Sequence, residues 1–383
     1  MTNPFRYGGV VSDDSFCNRK KEVREIVRMM ENSGRAFLYS ERRFGKTSLV
    51  QLALMKLTKK EYLSVYIDVW PTDGELSFVT TVAKAITKSL STGPEKALKR
   101  AKELFNRLTP SMTLDDDGKP VVTFGLGKHS SLDPELEEVL SAPARVAAQS
   151  KKKVVVVFDE IQRILEYDSD LVERKLRSII QHQKNVSYIF LGSRKHLIEK
   201  MFLDKSRPLY RSATHLTLPA IRQEEWLPFI RKRFEDSQKK INDNQIRTLC
   251  ELIQGHPFYT QQLCHVLWEL CDPKKNVTDE LVKEAIHTVF VRESYAYSLL
   301  WDSLTTNQQR FLVGLTDEQN RMKPFSATFL RRYRLGTASS AQRVVDTLLE
   351  RDIIDHEGRS FIILDRFFRM WIQKVQIEKQ DFS

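Results

Sequence analysis

An unbroken apolar run, Val154–Phe158, is followed at once by the acidic pair Asp159-Glu160. A strand whose successive residues are all apolar is buried on both faces, which is typical of a strand inside a parallel sheet. Four other apolar stretches alternate with helical patterns in the same part of the chain: residues 36–40, 63–70, 187–193 and 214–221. Alternating strands and helices predict a parallel sheet covered by helices, and therefore an α/β fold.

The segments around these strands predict the remaining elements. The helices predicted between the strands cover residues 47–57, 76–108, 133–149 and 169–183. Residues 112–126 instead predict a β-hairpin, because an Asp-Gly turn separates two alternating stretches. After residue 221 the pattern is helical to about residue 297.

The last part of the chain has its own pattern. Three short helical patterns precede residues 353–364, which predict a tight hairpin. Three helices followed by a hairpin are the order of elements in a winged helix-turn-helix. The predicted domains are an α/β domain over residues 1–221, a helical domain over 222–300 and a winged helix over 301–383.

Residues 40–48, SERRFGKTS, lie between the first predicted strand and its helix. In a Gly-Lys-Thr loop of this kind, backbone N–H groups bind nucleotide phosphates, the lysine reaches the β- and γ-phosphates, and the threonine hydroxyl binds Mg²⁺. Ser40 stands where the usual pattern has its first glycine, but Gly45 and the strand–loop–helix order are present. We therefore predict binding of ATP and Mg²⁺, and we disfavour a simple surface turn. The predicted nucleotide contacts are Ser40, Glu41, Arg42, Arg43, Phe44, Gly45, Lys46, Thr47 and Ser48.

The acidic pair lies at the carboxyl end of its strand, which is where parallel sheets place their ligands. Asp159 is predicted to hold Mg²⁺ through water, together with Thr47, and Glu160 to polarise the water that attacks the γ-phosphate. An acidic pair could instead only favour the start of a helix, but the Gly-Lys-Thr loop supports the catalytic role. Ser193, after another strand, could bind the γ-phosphate or the attacking water, or could be a helix N-cap.

Several segments in combination resemble the archaeal-type P-loop ATPases, relatives of the STAND and origin-initiator branches of the AAA+ superfamily. The segments are FCNRKKEV (16–23), RRFGKTSL (42–49), VVVVFDEIQ (154–162), IFLGSRKHLIEKMF (189–202), SRPLYR (206–211), GHPFY (255–259) and ILDRFFRMWI (363–372). The resemblance covers nearly the whole chain. It implies a P-loop NTPase sheet of AAA+ or STAND type, then a helical lid and a winged helix.

The resemblance also implies roles for single residues. Asn18 and Arg19 match a motif that lies against the adenine base, although Asn18 replaces a common glycine. Gly255-His256-Pro257 matches a turn that begins a lid helix and touches the nucleotide. Arg211 matches an arginine that could reach a γ-phosphate in its own or a neighbouring subunit; a structural ion pair is the slightly favoured alternative.

The chain carries 61 basic and 50 acidic residues, a net charge of +11, which permits a polyanionic partner without requiring one. If the winged helix binds DNA, Arg343 on its third helix and Arg359 on its wing are the predicted contacts. Residues 301–383 hold only 13 basic and 11 acidic residues. This small surplus favours the alternative, in which Phe367 and Trp371 contribute to an apolar contact with the ATPase core.

Three functions remain as alternatives. The first is an ATP-hydrolysing switch that acts on DNA or a partner protein, and the second is a weakly hydrolysing scaffold that signals by oligomerisation. A small-molecule phosphotransferase is disfavoured because an Asp-Glu pair suits water activation.

Three further sequence features bear on the compartment. Every apolar run is far shorter than the roughly 20 residues of a membrane helix. The first residues lack a signal-peptide pattern, and the four cysteines lack CxxC spacing. We therefore expect a cytoplasmic protein with buried thiols and no membrane partner.

Overall fold

The computed structural model describes residues 2–9, 16–91, 93–126, 132–317, 323–357 and 360–377. It divides into two compact units. The sheet unit comprises Arg19–Ser40 and Lys46–Leu218, and the C-terminal unit comprises Met1–Asn18, Glu41–Gly45 and Pro219–Ser383. The chain therefore passes from one unit to the other and back within the loop 40–48. The three-domain division remains a prediction.

The described residues of the sheet unit form seven strands. They are β1 Arg35–Tyr39, β2 Tyr62–Asp68, β3 Leu108–Leu114, β4 Pro120–Leu126, β5 Lys153–Asp159, β6 Val186–Gly192 and β7 Thr214–Thr217. Five of them make one sheet in the order β2-β5-β6-β1-β7, and every neighbouring pair is parallel. The run Val154–Phe158 in β5 is at most 1% exposed, which confirms the prediction of a strand buried on both faces.

Seven α-helices accompany this sheet. They are α1 Lys20–Glu31, α2 Lys46–Lys56, α3 Glu75–Leu90, α4 Pro94–Leu104, α5 Leu132–Ser150, α6 Leu171–Ile180 and α7 Lys195–Leu203. The single helix predicted over residues 76–108 is wrong. Gly93 has an extended backbone and Pro94 starts a new helix, because proline lacks the N–H that would continue the previous one. The last residue of that stretch, Leu108, already belongs to β3.

The hairpin is confirmed, with β3 and β4 paired antiparallel from Leu108↔Leu126 to Leu114↔Pro120. It begins earlier than residue 112, where the sequence places its start. Gly118 occupies the turn with φ +73°, a conformation that favours glycine. The strand predicted over residues 214–221 ends at Thr217.

The C-terminal unit is mainly helical. Its elements are α8 Gln223–Asp236, α9 Asp243–Ile253, α10 Pro257–Leu270, α11 Asp279–Asp302, α12 Thr306–Asp317, α13 Ala327–Arg332, α14 Ala338–Glu350, β8 Ile354–Glu357, β9 Ser360–Ile363 and α15 Arg366–Ile372, followed by a π-helical turn at Gln373–Ile377. Strands β8 and β9 pair antiparallel. Helices α12 to α14 followed by this hairpin are a winged helix, as predicted.

The core of the C-terminal unit joins distant parts of the chain. The ring of Phe5 lies 5.5 Å from that of Phe234. Phe367 packs edge-on against Tyr259 of α10, and the Trp371 indole N–H donates to Ser294 Oγ of α11 at 3.2 Å. These two aromatic residues, predicted to contact the ATPase core, thus contact helices of their own unit.

The four cysteines are buried free thiols, in agreement with the prediction. Burial raises the pKa of Cys250 to about 12, so this thiol carries its proton at neutral pH. Crossing a bilayer would need a longer and more apolar helix than any found in the described residues.

Candidate active site

The strand order brings three loop regions to one edge of the sheet. Strands β1, β6 and β5 are adjacent and parallel, so their carboxyl ends share that edge. The loop from Ser40 follows β1, Asp159 ends β5, and Ser193 follows β6. Ser193 therefore follows the strand that lies between the other two. In open parallel sheets this is the edge at which ligands bind.

The ends of the loop 40–48 are held within the sheet unit. Lys46 Nζ donates to the carbonyl oxygen of Ser40 at 2.9 Å and to its hydroxyl at 3.3 Å. Arg43 (φ +62°) and Gly45 (φ +85°) have left-handed backbones. Successive N–H groups in such a turn form a concave site for anions. Ser40 is not left-handed, so its position does not require the glycine of the usual pattern.

The carboxylate of Asp159 accepts hydrogen bonds from three directions. Thr47 Oγ1 donates to its Oδ2 at 2.9 Å, the Tyr66 hydroxyl donates to the same oxygen, and the Glu160 N–H donates to Oδ1 at 3.0 Å. Burial raises the pKa of Asp159; the Tyr66 hydrogen bond opposes this, and the charge of Glu160 adds to it. A carboxylate beside a hydroxyl is the hard oxygen donor set that suits Mg²⁺.

Glu160 has a left-handed backbone, with φ 54° and ψ 40°. Its Oε2 accepts hydrogen bonds from the Ser193 hydroxyl at 2.8 Å, from the Ser193 N–H at 3.3 Å and from the side-chain amide of Gln162. Gly192 is required here, because a Cβ would lie 2.4 Å from Gln162 Oε1. The Glu160 carboxylate therefore links the end of β5 to the end of β6.

Two residues of this cluster were not predicted. Tyr66 lies on β2, which pairs with β5 in the register Asp68↔Asp159. Only the order of strands in the sheet reveals this proximity, and the sequence does not give that order. Gln162 lies within the segment VVVVFDEIQ, but its burial against Gly192 depends on the tertiary packing.

The middle of the loop, Glu41–Gly45, belongs to the C-terminal unit and contacts other residues of that unit. Four consecutive side chains each have a partner there: Glu41 with Arg366, Arg42 with Asp352, Arg43 with Phe258 and Phe44 with His256. The first two pairs are ion pairs, the third places a guanidinium over an aromatic ring, and the fourth is an edge-on ring contact. The sequence predicted nucleotide contacts for these loop residues but none of these partners.

The motif Gly255-His256-Pro257 begins α10, with Pro257 as its first residue. Gly255 has φ +67°, and a Cβ at this position would lie 2.2 Å from the Ile221 carbonyl oxygen. His256 is 2% exposed. Burial, and secondarily the charge of Arg366, holds the pKa of His256 well below its usual value, so the imidazole is neutral. Its contact with a nucleotide stays a prediction.

Four other residues were predicted to contact the nucleotide. Asn18 and Arg19 are both left-handed, and the buried Arg19 donates to Glu22 at 3.1 Å. Arg211 is exposed, and its guanidinium lies 5.3 Å from the ring centre of Tyr210. Ser48 is buried in α2. The roles of all four with a nucleotide remain predictions.

The predicted DNA-contacting residues are only partly described. Arg343 is exposed on α14, beside Gln342, whose amide donates to Asp346 Oδ1 at 2.8 Å. Arg359 lies outside the described residues. The exposed face of α14 therefore carries both a cation and a carboxylate.

A Gly-Lys-Thr loop after one strand, an acidic pair after another and a third strand between them define a P-loop ATPase fold. The chain belongs to the family described as the ATPase domain predominantly from Archaea, whose model matches residues 16–263. A model described as a probable winged helix domain matches residues 295–374. Among curated proteins, no sequence matches the chain.

Solved structures show the same fold. A Walker-type ATPase of Pyrococcus abyssi has a TM-score of 0.66 at 18% identity, over 97% of this chain and 99% of that one. The ORC2 protein of Aeropyrum pernix, in ADPNP–ADP complexes, has a TM-score of 0.56 at 12% identity, over 100% and 98%. A chain of Drosophila ORC bound to DNA has a TM-score of 0.50 at 12% identity, over 95% and 89%.

Proposed function

We propose that the protein binds ATP together with Mg²⁺ and hydrolyses it, as a cytoplasmic molecular switch of the STAND or origin-initiator type. The observation that carries this proposal is the hydrogen bond from Thr47 Oγ1 to Asp159 Oδ2, at 2.9 Å. It joins the end of the Gly-Lys-Thr loop to the first residue of the acidic pair. Membership of the archaeal ATPase family supports the same proposal.

Lys46 and the loop backbone would bind the phosphates. The Lys46 ammonium now donates to the Ser40 carbonyl and hydroxyl oxygens, and it would turn to the β- and γ-phosphates of ATP. The left-handed Arg43 and Gly45 direct backbone N–H groups into the same concave turn. These groups would orient the triphosphate before hydrolysis.

Thr47 Oγ1 and, through water, Asp159 would hold Mg²⁺, which neutralises charge on the phosphate oxygens when bound. Tyr66 would keep the Asp159 carboxylate in place from the neighbouring strand. Glu160 would orient the attacking water and accept its proton. For this role its carboxylate has to exchange the hydrogen bonds of Ser193 for the water, which leaves the Ser193 hydroxyl for the γ-phosphate.

The test is a calorimetric titration of Mg·ATP into Lys46→Ala. We expect binding to be lost while the circular dichroism spectrum is unchanged, because the removed ammonium donates to the Ser40 carbonyl and hydroxyl oxygens at the end of the loop. Lys56→Ala is the matched control, since Lys56 is exposed at the other end of α2. Equal ATP affinity in Lys46→Ala and in the parent would refute the proposal.

A second candidate function concerns the partner of the switch. We propose DNA as one candidate, because Arg343 is exposed on α14 and because the similar Drosophila ORC was solved bound to DNA. A protein partner or a second copy of the chain is the alternative; a second copy would allow Arg211 to act in trans. Phosphate release measured with and without duplex DNA separates them, since only a DNA-dependent ATPase changes its rate.

A further inference from the structure

Arg366 is a buried cation that belongs to no predicted function. It is the first residue of α15, and its side chain is 9% exposed. Its Nη2 donates to both carboxylate oxygens of Glu41, at 3.1 and 2.9 Å. Its Nη1 donates to the Ile363 carbonyl oxygen at 3.0 Å. The guanidinium therefore links the winged helix to the phosphate-binding loop within one compact unit.

The start of α15 is itself fixed. Asp365, the N-cap residue, accepts hydrogen bonds from the N–H groups of Phe367 and Phe368 at 2.9 and 3.0 Å. The Tyr297 hydroxyl of α11 donates to the same oxygen at 3.0 Å. These bonds hold the backbone from which Arg366 extends. The Nη1 bond to the Ile363 carbonyl oxygen then holds the guanidinium from the winged-helix side.

Glu41 needs such a partner if the loop binds a nucleotide. Its carboxylate, 20% exposed, follows directly after Ser40, whose carbonyl oxygen accepts from Lys46. A carboxylate in a loop that binds a triphosphate repels that ligand. A guanidinium that donates to both carboxylate oxygens removes the repulsion and fixes the side chain.

Resting on the ATP-binding function proposed above, we propose that Arg366 is a positioning residue for ATP binding. Its guanidinium neutralises the Glu41 carboxylate and thereby holds the loop in the conformation that accepts a triphosphate. The other loop contacts fit this role, because the Arg43 guanidinium lies 4.3 Å from the ring centre of Phe258 and Phe44 packs against His256. The winged helix thus contributes to nucleotide affinity without contacting the nucleotide.

The experiment is a double-mutant cycle on the full chain, with Mg·ATP affinity measured by calorimetry. Arg366→Gln keeps hydrogen-bond donors but removes the charge, and it is expected to weaken ATP binding about tenfold, or about 1.4 kcal/mol. Arg366→Lys is expected to bind ATP with an affinity between those of Arg366→Gln and the parent, because it restores the charge but not the planar guanidinium. Glu41→Gln is expected to bind ATP about two- to threefold more tightly, since it removes a negative charge beside the phosphates.

The double variant separates positioning from a general structural role. Once residue 41 is neutral, no carboxylate remains for Arg366 to neutralise. The double variant Glu41→Gln/Arg366→Gln is therefore expected to bind ATP with an affinity within about threefold of the parent's. Asp352→Asn is the matched control. It breaks the other ion pair of the loop, between Arg42 and Asp352 at 2.9 Å, and leaves the loop cation in place.

Three results would overturn the inference: parent-like binding by folded Arg366→Gln, a double variant as weak as Arg366→Gln, or an equal loss in Asp352→Asn. If Arg366→Gln does not fold, the double variant is compared with Glu41→Gln, and a loss of about tenfold between them overturns it as well. If the parent and Lys46→Ala both fail to bind ATP, the proposed function itself is wrong. The two failures are therefore distinguishable.

Discussion

The ends and the middle of the loop 40–48 are held in different ways. At the ends, Ser40 and Lys46 bond to each other and Thr47 bonds to Asp159, all within the sheet unit. In the middle, Glu41–Gly45 belongs to the C-terminal unit, and its side chains contact residues more than 200 positions away in the sequence. One loop can therefore have its ends held by the sheet unit and its middle held by residues that are distant in the sequence.

The largest effect should come from the sheet side of this comparison. Glu160→Gln keeps the size of the side chain but removes the proposed base, and loss of a general base costs about 10²–10⁴-fold in rate. Steady-state phosphate release should fall by that factor while calorimetric ATP affinity stays within about threefold of the parent. Glu95→Gln, exposed at the start of α4, is the control for a changed net charge. A Glu160→Gln protein with the parent rate would place the base elsewhere.

On the C-terminal side, Gly255→Ala should give the largest loss of stability. A left-handed alanine costs about 1–2 kcal/mol, and crowding in a packed interior costs about 1–3 kcal/mol. The added Cβ would meet the Ile221 carbonyl oxygen, which is backbone and cannot move aside cheaply. Urea denaturation should show the loss. Gly93→Ala should not, because Gly93 is extended and nothing lies within 4 Å of its Cβ position.

Tyr66→Phe tests how much the stability of the sheet unit depends on the Tyr66 hydroxyl, whose hydrogen bond to Asp159 was not predicted from the sequence. A hydrogen bond to a charged group contributes about 1.5–3 kcal/mol, so the free energy of unfolding should fall by up to that amount. The pKa of Asp159 should rise further, because the Tyr66 hydrogen bond lowers it. Tyr62→Phe, at the start of the same strand, is the control. Equal stability of Tyr66→Phe and the parent would show that the contact contributes nothing.

The smallest effect is the pH dependence due to His256. Burial and the charges of Arg366 and Arg43 lower its pKa in the folded state, while a hydrogen bond with the Arg42 backbone opposes them. The unfolded chain therefore binds a proton below about pH 6.5 that the folded chain does not, and stability falls as the pH falls through that value. The loss from this residue is at most about 1.4 kcal/mol at pH 5.5, the limit for a group that stays neutral in the folded protein.

The measurement is urea denaturation at pH 7.5 and pH 5.5. His256→Gln lowers stability at both pH values because it disturbs the contact with Phe44. The difference in the free energy of unfolding between the two pH values, however, should shrink by up to about 1.4 kcal/mol. An unchanged difference would mean that His256 is protonated in the folded protein. His215, whose pKa burial also lowers, is present in both proteins and cancels.

Local patterns were sufficient to predict the sheet side of the comparison. The apolar run of β5, the Gly-Lys-Thr loop and the strand before Ser193 each have a signal within about ten residues, and strand–loop–helix order then predicts a common edge. The prediction of one helix over 76–108 is wrong because the Gly93-Pro94 pair interrupts a stretch that is otherwise rich in helix-forming residues.

The middle of the loop could not be predicted in the same way. Glu41 and Arg366 are charged residues in unremarkable local contexts, and nothing near either of them indicates the other. Their pairing depends on the packing of the C-terminal helices, which patterns in a single sequence do not reveal. The same holds for Tyr66, whose distance from Asp159 follows from the pairing of β2 with β5.

The position of β1 in the sheet affects how the protein is made. This strand is complete at residue 39, but its two neighbours end at residues 192 and 217. At about 5–20 residues per second, a nascent chain holds β1 without either partner for roughly 8–30 s. Phe5 lacks its packing partners for longer, because the C-terminal unit combines the first residues with residues 219–383. Until then both segments lack the partners that bury their apolar side chains in the folded protein, so we expect a chaperone to protect the growing chain there.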